Sequence, residues 1–436
     1  MKQGLPKHIV IDESPGETRV AVLKEGKLSD VFVERQHQPA LKGSLILGKV
    51  QAVKKELNAV FLDLGGITGY LEGIPKPSPI EGGALLVEVL SEPIDRKGAR
   101  VTANFSLLGR MADITPNQTG YSISRDIKAK GRRASIRDLL SNVIPKDIGV
   151  FIKSNANKCE LAELEEDLRT LLVDWESMQL DIARGEQPKI VKPAYSLMEL
   201  RGDWKKNAII CEGKDGILFK KFNIDAQISG ALEPVIETQT GVVLTIEEME
   251  ALTAIDIDLA SHKTAQSHPL KLAEVLAEEI FWQIRLRKLS GIILIDYPRA
   301  KNLGARDHFH SEIKRIALQD DYKLVVHGWT RTGLLELTKD RLGPSLRDMF
   351  LCKNSASQLL IEVIAIEACR MLITGSDGIA IPQLVCSQAL KSALLGPLRK
   401  TFDKVKRRLG VEVDFDVDLY LAHDEFYIQA KKITQL

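Results

Sequence analysis

Two carboxylates stand out by position. The runs Ala254-Ile255-Asp256-Ile257-Asp258 and Leu294-Ile295-Asp296 are apolar stretches that end on acids. Short, near-continuous apolar runs of this kind read as strands of a buried sheet. Ligand sites in open α/β sheets lie beyond the carboxyl ends of such strands. Two carboxylates buried side by side are costly unless a cation neutralises them. Hard oxygen donors suit Mg²⁺, which keeps several waters and reaches substrate phosphates. The chemistry this pair points to is a Mg²⁺ site for phosphoryl chemistry built on Asp256 and Asp296. The competing reading is that one or both acids cap a helix or pair with an arginine.

A second constellation is aromatic. Phe61 in Ala59-Val60-Phe61-Leu62-Asp63 and Tyr70 in Thr68-Gly69-Tyr70-Leu71 sit on short strands, and Lys97 follows in Asp95-Arg96-Lys97-Gly98. Ring faces with cations nearby stack single-stranded bases, and a lysine holds a phosphate. The plainer reading places Phe61 in a core. The basic end Gln283-Ile284-Arg285-Leu286-Arg287-Lys288-Leu289 stands just before the strand of Asp296. It complements a helix dipole, or else contacts phosphate. The run from Arg399 to Arg408 is a solvated basic helix face, with RNA contact or an oligomer contact as the sharper options. His308 and His310 lie two apart on a helix and do not face each other, and His262 and His268 flank a loop.

The elements that must hold these groups follow from pattern. Residues 8–12, 18–23 and 31–33 read as strands around Pro15-Gly16 and Glu25-Gly26 turns. Five further strands, 45–53, 57–64, 68–71, 85–90 and 99–103, suggest a small closed barrel of the OB type. From residue 240 strands and helices alternate, which predicts a mixed or parallel sheet covered on both faces. The last 80 residues read as a separate small α/β unit, with Val411, Val413, Phe415 and Val417 inward and Glu412, Asp414, Asp416 and Asp418 outward.

The chain of 436 residues has 60 basic and 59 acidic side chains, so it is not a uniformly basic nucleic-acid binder. Charge instead segregates: six bases against one acid over residues 119–137, and nine acids against two bases over 160–186. The five cysteines are scattered and form no C-x-x-C pair, which fits a reducing compartment. The start has no apolar core segment and no run of about 18 apolar residues occurs, so a cytoplasmic protein without a membrane span is expected.

These segments together resemble the ribonuclease E/G family over nearly the whole chain. The residues that carry the resemblance are Gly43-Ser44-Leu45-Ile46-Leu47-Gly48-Lys49-Val50 with Asn58 to Gly65, Glu250 to Ile257, Gln283 to Arg287 with Gly291 to Asp296, and Gly333 to Lys339 with Arg341 to Leu346. The resemblance implies a Mg²⁺-dependent endoribonuclease acting on single-stranded, A/U-rich RNA, with Mn²⁺ as an alternative ion and no small-molecule cofactor. Asp256 and Asp296 match the two metal-binding acids, while Phe61, Tyr70 and Lys97 match RNA-contacting positions. Lys323 stands where the family has a substrate-contacting arginine. The implied fold is multi-domain α/β. An RNase H-like domain (1–38 and 190–235) is interrupted by an OB-fold barrel of S1 type (39–108) and a 5′-sensor region (109–189). A DNase I-like α/β catalytic domain (236–350) and a metal link with a small C-terminal α/β domain (351–436) follow, and a homodimer is implied.

Departures from the pattern are specific. Asp258 replaces the family's asparagine and adds a carboxylate that could ligate metal. The next residues are Leu259-Ala260-Ser261, without the family's arginine. The zinc-link pair of cysteines is reduced to Cys352 in Cys352-Lys353-Asn354-Ser355, so structural zinc is not expected. The 5′-end-binding Arg-Thr pair becomes Lys153-Ser154, which lacks the bidentate fork of arginine. An RNA-binding protein that cuts weakly or not at all is therefore the alternative reading, and a DNA nuclease is disfavoured by the aromatic barrel.

Overall fold

The computed structural model describes residues 7–38, 41–93, 98–116, 118–185, 187–194, 208–238, 241–258, 269–297, 303–318, 324–341, 343–353, 355 and 357–431. For 269–274 and 303–309 it describes the backbone alone. The chain divides into two compact units, Ala40–Tyr195 and Met1–Pro39 with Ser196–Leu436.

In the second of these, β1 (Lys7–Ser14), β2 (Glu17–Lys24) and β3 (Lys27–Arg35) form an antiparallel meander. Alternating apolar residues bury Val10, Ala21, Leu23 and Val31 on one side. Gly16 makes the β1–β2 turn at a φ of +84°, and a Cβ there would meet Thr401 at 2.5 Å, so only glycine fits.

The unit Ala40–Tyr195 starts with β4 (Leu45–Lys54), β5 (Ala59–Asp63), β6 (Thr68–Glu72), β7 (Ala84–Ser91) and β8 (Ala99–Thr102). Their order is 4-5-6-8-7, and β7 pairs back to β4, which closes the barrel. Val50, Val60, Leu62, Leu71, Val87 and Val101 fill its interior. The strand-counting expectation holds here because closure removes the edges that five short strands would otherwise expose. Next come β9 (Leu107–Leu108), β10 (Ala112–Thr115), β11 (Tyr121–Ile123) and β12 (Gly149–Ile152), one face of which packs on the helices Lys130–Val143 and Leu161–Arg184. The acidic helix keeps Leu164, Leu168 and Leu171 buried, and its buried Asp167 accepts hydrogen bonds from the backbone N–H groups of Arg110, Met111 and Ala112. β13 (Lys189–Lys192) then joins β4.

Back in the other unit, β14 (Ala208–Lys214) runs parallel to β1, giving the order β14-β1-β2-β3. The second large sheet contains β15 (Val235–Glu237), β16 (Val243–Glu248), β17 (Leu252–Asp258), β18 (Gly291–Asp296), β19 (Leu324–Trp329) and β20 (Leu335–Lys339), in the order 15-16-17-18-20-19. Only β17 and β18 run parallel among its pairs. The helices Pro269–Leu286 and Leu303–Ala317 contribute Leu276, Ile280, Ile284, Ile313 and Ile316 to a core with Ile255, Ile257, Ile293, Ile295, Leu335 and Leu337.

Among the described residues, helices cover one face of this sheet and not both. The opposite face carries exposed Asp256, Asp258, Asp296, Ile292 and Val325. The strands look continuously apolar because Ala254, Leu294 and Ile292 lie on that face too, a weak alternation that the sequence reading smoothed over. A three-stranded sheet of β21 (Pro382–Cys386), β22 (Asp414–Val417) and β23 (Phe426–Ala430), in the order 22-21-23, packs with the helices Ile361–Gly375, Gln388–Leu395 and Arg399–Leu409 around its own core.

Candidate active site

The register of β17 against β18 pairs Asp256 with Asp296. Partners in a parallel ladder project to the same side, on strands roughly 4.8 Å apart. Both acids are exposed, and Ile255, Ile257, Ile293 and Ile295 anchor the opposite face in the core. Asp258 follows at the end of β17, exposed on the same side. The two acids thus sit together at a strand-end edge, but in solvent. The desolvation that was expected to demand a cation is therefore small. What remains is a preorganised pair of hard oxygen donors on rigid strands. Among the described residues, no group of three or more His, Cys, Asp or Glu side chains is arranged to hold a metal.

Residues far apart in the chain join this face through the ladders. Thr245 lies across from Asp256 on β16. On β20, Glu336 lies across from Leu294, and Thr338 lies two residues further along. His327 occupies an irregularity in the β19–β20 ladder, and its Nε2 is 2.7 Å from the Thr338 hydroxyl. The alternation Leu335-Glu336-Leu337-Thr338 was visible as a strand. Its membership of the carboxylate face depends on register between strands far apart in the chain.

The barrel brings its aromatic pair together. Phe61 and Tyr70 are register partners on β5 and β6, with ring centroids 5.6 Å apart in an edge-to-face arrangement. Both rings are half-buried on the outer side, while Val60, Leu62 and Leu71 point inward. The core reading of Phe61 is therefore set aside. Asp63 accepts from the Gly65 and Gly66 backbone N–H groups, which hold its carboxyl below the usual range. Gly98 stands next to Thr68, whose carbonyl oxygen would lie 2.3 Å from a Cβ, so the approach to β8 requires glycine. Lys97, Lys323, His262, His268 and the stretch 259–261 lie outside the described residues.

Other expected contacts are already engaged. The Lys153 amine lies 2.7 Å from the Asp113 carboxylate and donates to the Gly109 carbonyl at 2.8 Å. An anion meeting it would compete with a built-in carboxylate. Ser154 is exposed at the start of the following short helix. The phosphate reading of the basic end at 283–289 gives way as well. Arg285 donates to the Asp30 carboxylate through three contacts of 2.9–3.1 Å. Arg287 is buried and donates to Gln283, and burial brings it down to about 10. The Lys288 amine lies over the Phe32 ring, and burial pushes it down to about 8 against the pull of Asp30. In the basic C-terminal helix, Arg408 pairs with the buried Asp215 and Lys404 donates to Gln36 at 2.6 Å. The Cys352 thiol is half-buried and faces the Leu359 carbonyl at 3.4 Å.

The ribonuclease E/G family model matches residues 106–200 and 194–342, more than half of the chain. The chain belongs to the ribonuclease E/G family. It is 26% identical over 401 residues to ribonuclease E of Nostoc sp. strain PCC 7120, covering 79% of this chain and 57% of that one. It is 22% identical over 483 aligned positions to ribonuclease G of Escherichia coli K12, covering 96% of this chain and 98% of that one. Ribonuclease E of Haemophilus influenzae is 25% identical over 459 positions, covering 91% of this chain and 49% of its own length. The chain therefore spans about half the length of these ribonuclease E relatives and nearly all of the ribonuclease G.

Proposed function

We propose that the protein, an endoribonuclease by family, cuts single-stranded RNA by Mg²⁺-assisted phosphodiester hydrolysis. The observation that carries this reading is the in-register pairing of Asp256 with Asp296 on neighbouring parallel strands. Two exposed carboxylates fit an ion that takes one or two protein oxygens and keeps its waters. Asp256 and Asp296 would hold it, with Asp258 as an added oxygen donor, and Mn²⁺ is a chemically similar substitute. When bound, such an ion supplies Lewis-acid polarisation of a phosphate and a water of lowered pKa.

The chain's own residues do the rest. The sheet fixes the two carboxylates from below through Ile255, Ile257, Ile293 and Ile295. The barrel's Phe61 and Tyr70 stack bases without regard to sequence, with Lys97 and Lys323 as phosphate contacts. In-line attack of water on a scissile phosphate held at the acid pair leaves 5′-phosphate and 3′-hydroxyl ends. We further read β14-β1-β2-β3 as part of an RNase H-like domain, the acid-bearing sheet as DNase I-like, the chain as a homodimer, and rRNA and tRNA maturation or mRNA decay as the setting.

One observation favours a second reading, an RNA binder with weak cleavage: Asp258-Leu259-Ala260-Ser261 departs from the family's pattern right after the first acid, and the paired cysteines are reduced to Cys352. A single comparison separates the two. With Mg²⁺, the purified protein is expected to cleave a labelled A/U-rich oligonucleotide, and Asp296→Asn to abolish cleavage while leaving gel-shift affinity in place. Cleavage that survives Asp296→Asn overturns the site. A wild-type shift without cutting, at high Mg²⁺ or Mn²⁺, establishes the binder.

A further inference from the structure

The barrel's outer face holds one more group in line with its aromatic pair. Tyr70 on β6 pairs in register with Arg100 on β8, as it does with Phe61 on β5. A transverse row Phe61–Tyr70–Arg100 therefore crosses three adjacent strands. The side chain of Arg100 is 63% exposed, and its neighbours in the chain, Ala99 and Val101, are buried in the barrel core. Arg100 thus covers no core of its own. Among the described residues it pairs with Glu72, at 3.6 Å and 73% exposed. An exposed pair of that length holds a guanidinium weakly.

The chemistry of the row matches one occupant. A single-stranded nucleic acid presents flat bases and a phosphate backbone side by side. Phe61 and Tyr70 offer ring faces and edges to the first. A guanidinium one strand further offers a planar fork that engages phosphate through two parallel hydrogen bonds. The three sit on a closed, rigid barrel, so little order has to be created on binding.

We propose that Arg100 is an RNA-contacting residue of the barrel, holding a backbone phosphate beside the bases stacked on Phe61 and Tyr70. The proposal rests on the reading of the barrel as a single-strand RNA site. Glu72 then acts as a weak internal competitor that the phosphate displaces.

Fluorescence anisotropy with a labelled oligouridylate and the full chain, in buffer free of divalent ions, tests this. Arg100→Ala is expected to weaken binding about fivefold to tenfold. It should also flatten the plot of log affinity against log salt by about 0.7, the contribution of one phosphate on a single strand. Arg100→Lys is expected to restore the salt slope and part of the affinity, since it keeps charge without the fork. Glu72→Gln is expected to strengthen binding about twofold. Lys146→Ala, the loss of an exposed lysine elsewhere in the same unit, is expected to change nothing.

If Phe61→Ala weakens binding while Arg100→Ala leaves both affinity and slope unchanged, Arg100 is excluded and the barrel reading stands. If Lys146→Ala matches Arg100→Ala, the effect is general electrostatics and the specific contact is overturned. If neither Phe61→Ala nor Arg100→Ala has an effect, the barrel reading falls and takes the proposal with it.

Discussion

Two carboxylate pairs in the unit Met1–Pro39 with Ser196–Leu436 have opposite environments. Asp12 and Glu17 are buried beside the β1–β2 turn. Asp12 accepts from the Ser14 hydroxyl at 2.8 Å, the Gly216 N–H at 2.6 Å and Arg19 at 3.5 Å. Glu17 accepts from Arg35 at 2.8 Å, and Arg370 clamps it from a helix far along the chain. Burial works to raise the Glu17 carboxyl, but Arg370, Arg35 and Arg19 overcome it and hold it below the usual range. Asp256 and Asp296 are exposed, and among the described residues no cation pairs with either. A buried acid with three guanidiniums is bound to the fold, whereas an exposed pair on rigid strands keeps its oxygens available. Desolvation is therefore costly at Asp12 and Glu17 and small at Asp256 and Asp296.

The contrast can be broken by substitution. The largest expected effect is catalytic: Asp256→Asn should lower the cleavage rate at least a thousandfold, roughly 4 kcal/mol in barrier, with an unchanged urea midpoint. Arg370→Met should do the reverse, lowering stability by about 3 kcal/mol because it leaves buried charge less compensated. Its single-turnover rate under folding conditions should stay near wild type. A loss of activity in Arg370→Met without a loss of stability would dissolve the distinction. Phe61→Ala should weaken binding of oligouridylate by about 1–3 kcal/mol, read as a shifted anisotropy midpoint, with stability little changed.

The smallest effect concerns pH. Lys288 loses its proton near 8 in the fold and near 10.5 when unfolded. Between those values the unfolded state binds more protons, so stability rises with pH across that window and is lower below it. Lys288→Met should remove this rise and gain about 1 kcal/mol at pH 7. Parallel urea titrations at pH 7 and pH 9.5 would show it. An equal rise in the variant would assign the slope to another group.

Local pattern carried the elements well. Alternation gave the three strands of the N-terminal meander, and short strands between glycine turns gave the barrel. Apolar runs ending on acids placed Asp256 and Asp296 at strand ends. All of these depend on neighbours in the chain, whose periodicity of two or 3.6 is written directly in residue order. Glu336 and His327 were missed for the opposite reason, since they reach the carboxylate face through ladders that sequence periodicity does not specify.

The sequence by itself determined which residues are acids, rings and cations, and on which kind of element each sits. Tertiary structure alone decided which of them are available. It set Asp256 beside Asp296 by strand register and left their face open. It placed Arg285 on Asp30, 255 positions away, and Lys153 on Asp113. Those cations look free in the sequence because an ion pair is a matter of distance in space. Charge type is fixed by a residue, but the competition for it is fixed by whichever chain segments the core brings within a few ångströms.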